Sequence, residues 1–149
     1  MTVKIFKTRS VKTPTRGTPT SAGIDFYIPE DFPKTIVEPH SDVLIPAGIK
    51  VRIPSGYALV ANNKSGVATK KKLVFGASVI DEDYQGEVHL HLINSGVDPV
   101  EINPGDKIIQ FLLEKQEYAN IEEVATEDSL YKDLESIRGT GGFGSTGDK

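Results

Sequence analysis

Apolar and polar positions alternate in short runs along most of the chain. Ile49, Val51 and Ile53 are separated by Lys50 and Arg52, and Val88, Leu90 and Leu92 by His89 and His91. A period of two is the pattern of a half-buried strand. The same reading predicts strands over residues 3–7, 24–28, 35–38, 43–45, 49–53, 57–61, 99–102, 107–113 and 118–124. It also predicts a β-hairpin across residues 74–96, with the polar tip Asp81-Glu82-Asp83-Tyr84-Gln85-Gly86. Clusters such as Pro46-Ala47-Gly48, Pro54-Ser55-Gly56, Asn94-Ser95-Gly96 and Asn103-Pro104-Gly105-Asp106 supply turn chemistry between them. Residues 8–21, with Pro14 and Pro19, read as a loop. Two short helices are expected, one from Ser65 to about Lys71 and one over residues 129–136 with Ser129 as its N-cap. About ten short strands with frequent turns predict an all-β sandwich, jelly roll or barrel.

From Arg138 the chain carries five glycines and a single large apolar residue, Phe143. Such a segment buries too little surface to order itself alone. The expected organisation is a β-sandwich domain over residues 1–137 and a mobile arm over 138–149.

Composition narrows the function classes. The 149 residues suit one domain with a real core. Lys and Arg sum to 17 and Asp and Glu to 21, a net charge of −4, which argues against a non-specific nucleic-acid or membrane binder. There are no cysteines, so disulfides and thiolate metal sites are excluded. The first ten residues contain no apolar run, as a signal peptide would, and no stretch approaches transmembrane length. A soluble, cytoplasmic protein is expected.

Several stretches could carry chemistry. The tip at 81–86 sets an aromatic and three carboxylates between two strands, a shelf and a candidate base on a rigid element. Asn62-Asn63-Lys64-Ser65-Gly66-Val67-Ala68 follows a strand and opens a helix, so unpaired N–H groups, a cation and a hydroxyl stand together there. An ordinary helix cap with a solvated lysine is the plain alternative. In the tail, Gly139, Gly141 and Gly144 match G-x-G-x-x-G, but no strand precedes them and no helix can follow, so the dinucleotide fingerprint is excluded. What remains is an arm in which Arg138 could take phosphate charge and Phe143 could stack on a base. His89 and His91 share one strand face and could hold a metal, although no third ligand is suggested by spacing and a wet or interface face is the commoner case. Lys70-Lys71-Lys72 reads as a solvated helix end.

Five stretches, in order, resemble the motifs of the trimeric dUTPase family: Ala22-Gly23-Ile24-Asp25, Lys64-Ser65-Gly66-Val67-Ala68, Val79-Ile80-Asp81-Glu82-Asp83-Tyr84-Gln85-Gly86, Pro104-Gly105-Asp106-Lys107-Ile108-Ile109-Gln110, and Arg138 to Gly147. The resemblance implies a jelly-roll β-sandwich, a homotrimer with active sites shared between subunits, and Mg²⁺-dependent hydrolysis of dUTP to dUMP and pyrophosphate. It implies Asp81 as the general base that activates water toward the α-phosphate. Tyr84 would pack under the deoxyribose and exclude a 2′-hydroxyl. The main chain around Gly76, Ser78 and Val79 would read uracil. Lys64, Ser65, Gly66 and Gln110 would hold phosphates. Asp25 would orient a water around Mg²⁺, the ion being held mainly by the triphosphate. Arg138, Gly144, Ser145 and Thr146 would bind the phosphate end, with Phe143 capping the base.

The chain departs from the family pattern at three places. Lys64 stands where the family usually has arginine, which keeps the charge and loses the bidentate fork. Ser78 stands where glycine is frequent, and the link over residues 126–137 is longer than usual. Three other readings compete. A dCTP deaminase of the same fold would need a glutamate where this chain has His91. A regulatory protein switched by nucleotide occupancy would not need Asp81, Tyr84, Arg138 and Phe143 all intact. A carbohydrate-binding or capsid module would leave the Arg- and Phe-bearing tail unexplained.

Overall fold

A computed structural model describes residues 1–142. Contacts divide it into two units, Met1–Glu117 and Tyr118–Lys149. The first contains eleven strands and one helix: β1 (Lys4–Lys7), β2 (Ile24–Phe26), β3 (Thr35–Val37), β4 (Asp42–Pro46), β5 (Ile49–Arg52), β6 (Tyr57–Asn63), α1 (Ser65–Lys71), β7 (Leu73–Phe75), β8 (Val79–Ile80), β9 (His89–Asn94), β10 (Val100–Ile102) and β11 (Ile109–Lys115). Every strand pair is antiparallel.

A four-stranded sheet runs β2-β11-β6-β8 and a three-stranded sheet runs β4-β9-β7, with the ribbons β1-β5 and β10-β3 beside them. The alternation seen in the sequence is what lets the two sheets share a core. On β9, Leu90, Leu92 and Asn94 are buried while His89, His91 and Ile93 are not. On β6 and β11, Leu59, Ala61, Ile109 and Phe111 face inward. Phe111 packs edge-on against Phe26, ring centres 4.8 Å apart. The buried amide of Asn94 closes one end, donating to the carbonyls of Val37 at 3.0 Å and Asp98 at 2.8 Å. The architecture is the all-β jelly-roll sandwich that the family resemblance implies, and it is among the forms the strand pattern allows. Among the described residues no helix is long and apolar enough to cross a membrane.

Three sequence expectations fail. The hairpin across 74–96 is only partly a hairpin. β7 does pair with β9, Phe75 opposite Leu92, but Val79 and Ile80 leave for the other sheet and pair with Val60 and Leu59 of β6. Alternation fixes which side chains point inward, and an inward side chain is equally buried from either sheet. The strand expected at 118–124 does not form. Its apolar residues Tyr118 and Ile121 are exposed, and the segment makes no strand ladder among the described residues. The second helix is α2 (Glu127–Leu130), one turn long and starting earlier than expected. Its N-cap is Thr126, whose hydroxyl accepts from the Ser129 N–H at 3.2 Å, so Ser129 lies inside the turn rather than capping it.

Candidate active site

The tip residues lie on the crossing between the two sheets. Ala77, Ser78, Val79, Ile80, Asp81, Tyr84, Val88, His89 and Phe111 line a cleft of about 250 Å³. Ile80, Val88 and Phe111 form its buried apolar floor. Asp81 and Tyr84 are exposed at its mouth.

The structure separates the three carboxylates of the tip. Glu82 is committed to the turn below it, where it accepts from the Gly56 N–H and, at 3.4 Å, from the Ser55 hydroxyl. Asp83 lines the neighbouring groove with Glu82, Ser55 and Arg52. Asp81 lines the cleft, and its carboxylate makes no hydrogen bond or ion pair to any described residue. Its main-chain oxygen accepts from the Tyr84 N–H at 3.2 Å, which closes the turn. A carboxylate with open lone pairs beside an aromatic ring can take a proton from a water held in the cleft.

Tyr84 is held at both ends. Its phenol donates to the main-chain oxygen of Glu87 at 2.9 Å, and its ring lies against Gly86 where a β-carbon would overlap it. The Glu87 side chain ties this corner to the first strand. It accepts from the Thr8 hydroxyl at 3.1 Å and the Gly48 N–H at 2.7 Å, and lies 3.2 Å from Arg9 Nε. Burial works to raise the Glu87 pKa, but the Thr8 hydroxyl, the Gly48 N–H and the Arg9 guanidinium outweigh it and hold the group below the usual carboxylate value. Glu87 is a site-supporting residue that the sequence reading did not assign, and His89, read there only as half of a histidine pair, lines the cleft. An acid beside a β-branched residue reads as solvated, and only the fold brings Thr8 and Gly48 to it.

The second constellation sits where β2, β6 and β11 meet α1. Asp25 is buried and pairs with two cations, Oδ1 with Lys64 and Oδ2 with Lys107 at 3.4 Å. Gln110 stands opposite Asp25 in the ladder and donates to the Asn63 carbonyl at 2.8 Å. Its side chain occupies the space a β-carbon on Gly23 would need, so a larger residue there would displace Gln110. Lys64 is the N-cap of α1 without a side-chain cap bond, and Ser65 is the first helical residue. Open space surrounds Gly66, where a β-carbon would meet nothing. Nearby, the Thr15 hydroxyl, 2.6 Å from the Tyr27 phenol, lowers that phenol's pKa. Burial opposes this shift, and Lys12 and Lys107 add to it.

The structure therefore brings Ser78, Val79, Asp81 and Tyr84 together, and separately Asp25, Lys64 and Gln110 beside Ser65 and Gly66. Among the described residues no hydrogen bond or ion pair links the first group to the second. Gly76 is taken up by the His91 ring, which fills the place of a β-carbon. His91 is no metal ligand of the kind that H-x-H allows: Nδ1 accepts from the Ala77 N–H and Nε2 faces Asp42, both at 2.8 Å. No group of three or more metal-binding side chains occurs among the described residues. Arg138 belongs to the second unit, where its Nε donates to the Gly141 carbonyl at 2.6 Å. Phe143, Gly144, Ser145 and Thr146 lie outside the described residues.

Comparison with known proteins decides the family. The family model for dUTPase matches residues 9–147. The chain belongs to the dUTPase family. It is 40% identical over 135 residues to deoxyuridine 5′-triphosphate nucleotidohydrolase from Mus musculus, covering 90% of this chain and 77% of that protein. The enzyme of the same name from Yarrowia lipolytica is 39% identical over 150 residues, covering 99% of this chain and 90% of that one. Among solved structures, a mutant dUTPase of Staphylococcus bacteriophage 80alpha with dUpNHpp superposes with a TM-score of 0.84 at 22% identity, covering 98% of each chain. This dUTPase chain is an enzyme of nucleotide metabolism, and its activity is the hydrolysis of dUTP.

Proposed function

We propose that dUTP is cleaved to dUMP and pyrophosphate by a water that Asp81 deprotonates for attack on the α-phosphate. The observation that carries this is the cleft itself: an uncommitted carboxylate and an anchored aromatic ring share its mouth. One positioned general base is worth about 10²–10⁴ in rate. Tyr84 takes the underside of the deoxyribose, and its ring fills the space of a 2′-hydroxyl. The main chain over residues 76–79 reads the uracil. The N–H groups of Gly76 and Ala77 are held by His91 and the Ser78 carbonyl by the Ala61 N–H, which fixes this segment between the two sheets.

Lys64, Ser65, Gly66 and Gln110 bind the phosphates. Lys107 adds a second cation beside Asp25. Mg²⁺ fits this donor set as an ion carried mainly by the triphosphate, since a hard cation with few protein ligands usually keeps phosphate and water oxygens. Asp25 is the residue that would hold it, through a water, because each of its oxygens pairs with one lysine and retains a lone pair. When bound, the ion supplies neutralisation of the leaving pyrophosphate.

The assembly is a homotrimer in which the Asp81 group of one subunit meets the Asp25–Lys64–Gln110 group of another. The support is that among the described residues no hydrogen bond or ion pair links the two groups within a chain. Residues 138–149 form an arm that closes the site, with Arg138, Gly144, Ser145 and Thr146 on phosphate and Phe143 over the base. Incubation with each deoxynucleoside triphosphate and Mg²⁺ tests the reading. Monophosphate and pyrophosphate should form from dUTP alone. Comparable turnover of dCTP or dTTP, or ammonia release from dCTP, would contradict it.

A further inference from the structure

Residues 76–79 cross from one sheet to the other and carry two walls of the cleft, Ser78 and Val79. At the far end β6 holds them: the Ser78 carbonyl accepts from the Ala61 N–H at 2.7 Å, and Val79 pairs with Val60. At the near end a single residue among those described holds them. His91 takes the Gly76 N–H on its main-chain oxygen at 3.0 Å and the Ala77 N–H on Nδ1 at 2.8 Å. An amide N–H can only donate, so Nδ1 is unprotonated and the ring proton sits on Nε2, which donates to Asp42 Oδ2 at 2.8 Å. The ring is neutral in this arrangement and seated directly on Gly76. His91 itself does not line the cleft.

We propose that neutral His91 is a positioning residue for the segment that reads the base, and that its protonation releases Ala77 and weakens dUTP binding. The proposal rests on the assignment of base reading to residues 76–79. A proton on Nδ1 sets N–H against N–H at Ala77 and leaves the Asp42 bond in place, so acid breaks one side of the ring's attachment and strengthens the other. Among the described residues, Asp42 on β4 and His89 on the same strand are the titratable groups facing His91. The β7 residues beside it, Leu73–Phe75, carry none.

Two variants and one resonance test this in the full chain. His91→Asn places an amide oxygen near the Nδ1 position, so it keeps the acceptor and does not titrate. His91→Leu removes the acceptor. His91→Leu should raise KM for dUTP by up to about tenfold, in line with the net worth of one lost hydrogen bond, and leave kcat within about twofold. His91→Asn should match wild type at neutral pH. Its KM should stay flat on acidification, while wild-type KM rises.

The Ala77 amide resonance of the free protein separates the premises. It should move in His91→Leu and on acidification of wild type. If it moves in neither, His91 does not anchor the segment and the proposal falls. If it moves and KM does not follow, the proposal falls because residues 76–79 do not read the substrate. Should His91→Leu fail to fold, His91→Asn decides alone: loss of the acid rise in KM supports the proposal, and an unchanged rise overturns it.

Discussion

The ring of Tyr84 and the backbone of Gly86 are in such close contact that no β-carbon fits between them. With the phenol donating to Glu87, the ring is fixed in one pose at the mouth of the cleft. In the proposed site such a ring would act as a steric gate for the sugar. Tyr84→Ala should therefore narrow the ratio of kcat/KM for dUTP over UTP. Gly86→Ala should do the same, because its new methyl pushes the ring aside. An unchanged ratio in both variants removes Tyr84 from sugar selection.

The Glu87 carboxylate gives a pH-dependent contribution to stability. Its folded pKa lies below the usual glutamate value of 4.5, so the unfolded chain binds its proton first as pH falls. The contribution is fully present above about pH 4.5 and is lost on descent through the lower, folded value. Glu87→Gln should lower stability by about 1 to 2 kcal/mol near neutrality, the size expected for charge-assisted hydrogen bonds. The gap between wild type and variant should close in acid. Urea melts of both proteins at neutral pH and below pH 4.5 measure it, and a gap that widens in acid would reverse the assignment.

The proposed role of residues 138–149 in closing the site is tested by removing them. Truncation after Ile137 should leave the thermal midpoint and the oligomer almost unchanged while dUTP turnover collapses, since closure excludes water from the site. Sedimentation, melting and turnover on the shortened chain check this together. Normal turnover would reduce the arm to a tail, and dissociation to monomers would make it structural.

Much of this was legible in the chain because local signals agree with the fold. The alternation at Ile49–Arg52 and His89–Asn94 marks strands that do form. The ordered motifs around Asp25, Lys64, Asp81 and Gln110 point to residues that do gather in two groups. What stayed hidden depends on which strands become neighbours. Val79 and Ile80 show the same periodicity whether they pair with β9 or β6, so their change of sheet could not be read. Lys107 reaches Asp25 only because β11 lies beside β2. His91 read as half of a histidine pair on a wet strand, and its bond to Ala77 exists only once that segment folds back over β9.

Asp81→Asn should fold and bind nucleotide yet lose at least about 10²-fold in turnover, because an amide cannot take the proton from the attacking water. Calorimetric binding of a non-hydrolysable analogue and single-turnover rates separate the two effects. A variant that keeps more than about a tenth of the wild-type rate would exclude Asp81 as the base, the loss then falling below the lower bound for such a group.

The most direct measurement is a subunit-mixing experiment with two variants that are each inactive alone, Asp81→Asn and the double variant Lys64→Ala/Gln110→Ala. They are unfolded together in equal amounts, refolded, and assayed for dUTP turnover. If each site takes Asp81 from one subunit and Lys64 with Gln110 from another, random assembly rebuilds about a quarter of the sites with both groups intact. Activity should then return to about that fraction of wild type. Mixed oligomers that form and stay as inactive as their parents would show that both groups come from the same chain, and would contradict the shared site.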